Sequence, residues 1–352
     1  MDLFSFLRTS TLYPKIYWSS RNSDTTIAAV GVFDGPTNRR AFTFRHFTPT
    51  DAVEWQDFPH ALTITPRFEV IGRRSKQDLP QPQGPIVFKK ESSHSSKSWK
   101  IQIEQALNAI GQKHFEKVVM AKRVSLFCSS TIDPLSLCQS LQGPHQTVFL
   151  FQPTPTSAFL GATPEMLYRR SNRKIECDAL AGTRLLARQE ELLTSEKDIR
   201  EFSIVQNQIL DVLSPLCQSP PQATARAIRT TPRLAHLYSQ ISAMIFDDVT
   251  DEQLIRTLHP TPAVGGYPRQ NALSFIKATE PFARGLYAAP IGWTSDSDAE
   301  IAIGIRSCLI QGSTAHLFAG TGIVEGSDPM KEWDESEHKL SQLISLFYGE
   351  AV

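Results

Sequence analysis

Two short segments each place a pair of acids three residues apart: Asp198 and Glu201 in SEKDIREFSIV, and Glu332 and Glu335 in MKEWDESEHKL. Residues three apart on a helix share a face, so each segment would present two carboxylates in one direction. Hard oxygen donors of this kind suit Mg²⁺, which keeps part of its water shell and shares its remaining positions with an anionic substrate. Acids near a helix start also complement the macrodipole, and spacing does not separate the two readings. Lys117 lies in FEKVVMAKR. Strand alternation there puts Phe115, Lys117, Val119 and Ala121 on one side and Glu116, Val118 and Met120 on the other. A lysine on a half-buried face loses part of its preference for the charged form and can act as a base. An edge-strand lysine reaching for water has the same local sequence.

Four glycine and proline turns accompany these groups: GATPE (161–165), ALAGTR (179–184), HPTPAVGGYP (259–268) and AGTGIVEGSDP (319–329). Glycines allow close backbone approach to a ligand and expose N–H groups to an anion, although tight turns between strands use the same residues. The last turn runs directly into the second acidic segment, so an anion bound there would lie near a metal. The nine histidines show no HxxxH or HxH spacing, which disfavours zinc. A GxSxG elbow, a GxxxxGK[ST] loop and a GxGxxG after a strand are all missing, which disfavours serine hydrolases, P-loop NTPases and standard dehydrogenases.

The elements that must position these groups come in blocks. Residues 1–88 read as strands and turns, with strands at 25–33 and 68–72, and the serine-rich stretch 89–100 reads as a surface connector. Trp99, Ile103, Leu107 and Ile110 recur at helical spacing and predict a helix ending near Gly111. A strand over 115–127 and a sheet with short turns over 147–183 follow. Ser195 and Asp198 predict a capped helix running past Val212. Helices are expected around 233–246, 251–258 and 270–279, strands over 286–293, 299–310 and 314–319, and a last helix from about 330 to 347. Blocks of this kind favour an α/β (α+β) architecture of large sheets over a strict βαβ wheel.

A length of 352 residues fits two average domains or one large one. With 41% hydrophobic and 20% charged residues the chain can build a packed core. Lys+Arg and Asp+Glu both number 36, leaving no global basic field for nucleic acid or anionic lipid. No run is long and apolar enough to span a membrane. The opening MDLFSFLRTS lacks the basic and apolar regions of a secretory signal. Five scattered cysteines without a CxxC pair fit a reducing compartment. The expectation is a soluble cytoplasmic protein.

KVVMAKR, FLGATPEMLYRR, ALAGTR, SEKDIREF, LHPTPAVGGYPR, LYAAPIGW, AIGIRSCLI and AGTGIVEGSDPMKEWDESEHKL, in that order, resemble the chorismate-utilising enzymes, and within them the isochorismate synthases. The resemblance covers roughly residues 97–347, while residues 1–90 carry no such signature. It implies a single catalytic domain over 1–352, in which the strand-rich N-terminal part completes antiparallel or mixed sheets with helices outside and a central cleft.

The resemblance also assigns roles. Lys117 matches the general base that activates water for attack at C2 of chorismate, and Glu165 the general acid that protonates the departing C4 hydroxyl. Glu201 and Glu335 match direct Mg²⁺ ligands, with Asp198 and Glu332 as outer companions. Tyr287, Arg306, Gly320 and Lys339 match contacts to substrate carboxylate; Leu180, Gly182, Thr183 and His236 match ring-side positions. Phe202 stands where the family usually has histidine. Aminating members and salicylate synthases carry threonine at the position of Ala263, and aminodeoxychorismate enzymes often carry a nucleophilic lysine at that of Ala181. Two alanines favour hydroxyl transfer without loss of pyruvate. The implied activity is Mg²⁺-dependent conversion of chorismate to isochorismate by a monomer without an obligatory protein partner. LHPTPAVGGYP looks closest to menaquinone-pathway members. The alternatives are a salicylate synthase, a siderophore-pathway isochorismate synthase, or an aminating enzyme with a glutaminase partner.

Overall fold

The computed structural model describes residues 2–348 except 22, 34–38, 49–57, 59–60, 74–84, 142–145 and 232–233, which removes part of the expected strand-rich 1–90 region. Among the described residues the strands form two sheets, one of ten strands and one of nine, and every pairing is antiparallel. The first sheet is built around Lys117–Cys128, which pairs over eleven positions with Thr314–Val324. The second is built around Lys174–Leu185, which pairs along its length with Leu234–Met244. Strands from the N-terminal part join both sheets: Lys15–Ser19 pairs with Thr147–Gln152, and Ala41–Arg45 pairs with Pro290–Thr294.

The chain passes from one sheet to the other several times, and two of the short breaks hold residues assigned to the site. Ser157–Thr163 lies in the first sheet and Met166–Ser171 in the second, so Pro164 and Glu165 form the corner between them. Asp298–Ile303 lies in the second sheet and Ser307–Gln311 in the first, and Arg306 falls in the intervening turn with φ 51°. A non-glycine residue in that left-handed region stores strain, which a structure retains where the surroundings demand it. Corners open a gap between sheets, and both carry a residue assigned to the site.

Helices cover the strands. Ser95 accepts a hydrogen bond from Ser98 N–H (3.1 Å) at the start of Ser96–Gly111, whose Trp99 and Ile103 are fully buried. That helix packs against Pro329–Tyr348, and Trp99 meets Trp333 edge to face at 6.2 Å between centroids. Glu196–Leu213 is capped by Ser195, which accepts from Asp198 N–H.

Several expectations change. Where a helix is expected around 233–246, Leu234–Met244 is a strand, because it is paired along its length with Lys174–Leu185. The surface connector at 89–100 is a strand, Val87–Ser92, followed by the helix start, since its first half pairs with Lys117–Cys128. A helix, Leu3–Thr9, stands among the N-terminal strands, capped by Asp2 and buried through Phe4 and Leu7. The strand expected over 299–310 is two strands divided by the turn that holds Arg306.

Candidate active site

Between the sheets lies a cleft lined by residues of both. Glu165, Leu180, Gly182, Thr183, Glu201, His236, Ala263, Tyr287, Arg306, Gly320 and Lys339 all line it. They come from elements scattered along the chain, so the fold converges them.

Lys117 begins its strand with its side chain 1% exposed, and its Nζ lies 3.0 Å from Glu201 Oε1. It shares a strand face with Val119, which lines the cleft, as alternation predicts. Burial pulls the Lys117 pKa below the ordinary lysine value, and the charge of Glu201 offsets part of that pull. Glu165 is also buried, and its pKa is raised to about 8, first by burial and then by the charge of Asp178. A base needs a neutral amine and an acid needs a protonated carboxyl; burial drives both groups that way.

Among the residues that line the cleft, two buried nitrogens lack a partner: Arg306 Nη1 and His236 Nε2. An orphaned donor or acceptor is costly unless a ligand completes it. Arg306 lines the cleft with its guanidinium desolvated, its pKa lowered to about 10 by burial. It thus offers an N–H pointed at no protein acceptor, as a site for a carboxylate would. His236 Nδ1 lies 3.2 Å from the Gly182 carbonyl and 3.1 Å from Thr183 Oγ1. Burial and the nearby Arg306 and Lys339 hold the imidazole neutral. Donation from Nδ1 to the carbonyl leaves Nε2 as an acceptor. Tyr287 stacks on Phe318 at 5.0 Å, and burial raises its phenol pKa. Lys339 Nζ donates to Gly320 O (2.8 Å) and Glu335 Oε1 (2.6 Å).

The acids do not stand as a bare cage. Glu201 faces Lys117, Glu335 faces Lys339, and Glu332 Oε1 faces Lys197 Nζ at 2.8 Å. Asp198 is engaged by Arg184 through Nε (3.0 Å) and Nη2 (2.7 Å). Among the described residues no group of three or more His, Cys, Asp or Glu is gathered closely enough to enclose an ion. Even so, Glu332 Oε2 is buried without a partner, and its pKa rises to about 7 through burial and through the charges of Glu335 and Glu201. Lys197 is held strongly protonated by the combined field of Glu332, Glu201 and Glu335. That partnerless oxygen is a hard donor of the type a divalent cation takes.

Sequence reasoning missed Lys197, Arg184 and Gly322. A Cβ on Gly322 would overlap the Glu201 carboxylate and lie 3.0 Å from Lys117 Cε, so the absence of a side chain makes room for that pair. The GTG at 320–322 was a visible signal for Gly322. Lys197 and Arg184 differ from any surface cation only through their partners. Phe202, the departure from the family's histidine, is fully buried in the main core.

The profile of the family described as Chorismate binding enzyme matches residues 64–348, and the chain belongs to that family. Among its relatives, the chloroplastic isochorismate synthase of Catharanthus roseus is 37% identical over 267 residues, covering 72% of this chain and 46% of its own. Isochorismate synthase MenF of Bacillus subtilis is 36% identical over 262 residues, covering 72% of this chain and 56% of its own. The chain thus spans about half the length of these relatives. The solved structure of MenF, the menaquinone-specific isochorismate synthase from Escherichia coli, superposes with a TM-score of 0.87 at 24% identity, over 99% of this chain and 91% of that one. This likeness establishes the shared fold.

Proposed function

We propose that this protein is an isochorismate synthase. The observation that carries the reading is the pair of Lys117 and Glu165, both buried and each within the field of the other, with pKa values displaced in opposite directions. Lys117 takes a proton from water as its oxygen attacks C2 of chorismate. The two ring double bonds shift, and Glu165 delivers its proton to the C4 hydroxyl, which leaves as water. Water enters and water leaves, so the product is an isomer and no redox partner is needed.

Arg306, with its unpaired Nη1, takes a substrate carboxylate, and Lys339 adds a second positive charge. His236 Nε2 accepts from a substrate hydroxyl, while Leu180, Gly182 and Thr183 shape the ring side of the cleft. Glu201 and Glu335 would hold Mg²⁺, with Glu332 and Asp198 around them. Bound there, the ion would neutralise the ring carboxylate and remove from Lys117 the counter-charge that favours its protonated form. Ala263 lines the cleft and leaves there no hydroxyl of the kind that threonine-bearing relatives carry. Similarity to the MenF enzymes supports a place in menaquinone formation. We extend the reading to a monomer in the cytoplasm; no described helix is long and apolar enough to cross a membrane.

The test is product analysis with chorismate and Mg²⁺, with and without EDTA, following isochorismate and pyruvate together. Isochorismate without pyruvate, lost on chelation and in Lys117→Ala, is the expected result. Pyruvate with salicylate would assign the lyase reaction instead. Bound chorismate without turnover would overturn the enzymatic reading.

A further inference from the structure

Three charged side chains gather at the backbone on either side of Glu165, two of them buried and the third, Arg229, partly so. Arg21, from the turn after Lys15–Ser19, donates to the Pro164 carbonyl through Nη1 and to Asp178 Oδ2 through Nη2. Asp178, on the strand Lys174–Leu185, also accepts from Met166 N–H (3.1 Å) and from Arg229 Nη1 (3.0 Å). The residues on either side of Glu165 are therefore held by the same ion pair, one through its carbonyl and one through its N–H. Arg21 and Asp178 are almost fully buried, with side chains 6% and 4% exposed. Arg229 lies over the Tyr238 ring, 3.2 Å from its centroid, which fixes the guanidinium against Asp178. The backbone of Glu165 itself donates to Thr163 Oγ1 (3.2 Å) and accepts from Ile303 N–H (3.1 Å).

We infer that Arg21, Asp178 and Arg229 form a brace that positions Glu165 at the corner between the sheets. This rests on the reading of Glu165 as the general acid. A two-residue corner has few backbone hydrogen bonds of its own, and a proton donor displaced by an ångström loses much of its effect. The brace supplies the missing anchors. It also places a fixed anion beside Glu165, because Asp178 stays paired to two guanidinium groups. The charges acting on Glu165 are Asp178, which opposes its ionisation, and Lys117, Arg21 and Lys339, which favour it; Asp178 is the strongest taken singly. Tyr287 is coupled to the same carboxyl from across the cleft. Arg21 also gives the N-terminal strands a part in the site, although they carry no family motif.

The experiment is a ¹³C-carboxyl NMR titration of the full chain, with the Glu165 signal assigned by its loss in Glu165→Gln. Asp178→Asn keeps the shape and one acceptor but removes the charge, and should lower the Glu165 midpoint by about one unit. Arg229→Gln removes a cation beside that acceptor and should move the midpoint up. Opposite displacements support the brace; midpoints that stay together, or move the same way, overturn it. Arg21→Ala should lower kcat about tenfold with KM nearly unchanged, and Arg21→Lys should recover part of the loss. Equal losses in both variants, tracking stability alone, would reduce Arg21 to a structural role. Glu165→Gln with undiminished turnover would remove the acid assignment itself, while the titration would still report on the three charges.

Discussion

Lys117 and Glu165 are acted on by the same force with opposite results, since burial disfavours the charged form of each. Activity that needs a neutral lysine rises as pH climbs through the lowered Lys117 pKa, and activity that needs a protonated glutamic acid falls above about pH 8. We predict a bell-shaped kcat/KM profile with its alkaline limb near 8, and a loss of about 10²-fold or more in Glu165→Gln, read by the rate of isochorismate formation. Gly322 gives a second test at this scale. A methyl group there meets the Glu201 carboxylate and Lys117 Cε. Gly322→Ala should therefore weaken Mg²⁺ binding about tenfold or more in a calorimetric titration, with the circular dichroism spectrum unchanged. That glycine stands in a motif plain in the sequence, yet its purpose depends on two side chains from distant segments.

The helices that present the acids are held from behind. Trp99 is fully buried and meets Trp333 on Pro329–Tyr348, one residue after Glu332, while Lys122 Nζ lies over the Trp333 ring at 3.5 Å. Trp99→Ala should destabilise the protein by about 3–5 kcal/mol in chemical denaturation. It should also weaken metal dependence before it weakens substrate binding, because the helix it supports carries Glu332 and Glu335. The periodic stripe through Trp99 and Ile103 made this helix readable. Leu234–Met244 was misread for a related reason: Leu234, Leu237 and Ile241 recur at helical intervals, but the segment is a strand. Those side chains enter the core from a long antiparallel pair, and only the partner strand reveals it.

Across the whole molecule the site costs stability. For Glu165 the folded-state pKa, about 8, stands above the ordinary glutamate value of 4.5, so the folded state binds its proton more tightly than the unfolded chain. Stability from this group is present in full below the unfolded pKa and is lost as pH rises towards 8. Glu165→Gln should thus be more stable than the parent at pH 8, by about 1–3 kcal/mol, and nearly equal to it at pH 4, in urea unfolding at the two pH values. A purely structural glutamate would show a loss at both.

Local chemistry was legible without coordinates: which acids share a helix face, which lysine shares a strand face with Val119 and Ala121, where a helix starts at Ser195 and where glycine turns stand. The order of the motifs identified the family, now carried by the match over 64–348. Tertiary structure alone decided the partners. Lys117 meets Glu201, Glu332 meets Lys197, Asp198 turns its carboxylate to Arg184, and Arg21 reaches the corner at Glu165. Spacing along a chain dictates direction only within one element, because helix and strand geometry repeat over a few residues. Which charge meets which across two sheets depends on strand register and on where the chain crosses between them, and neither is encoded in a short window.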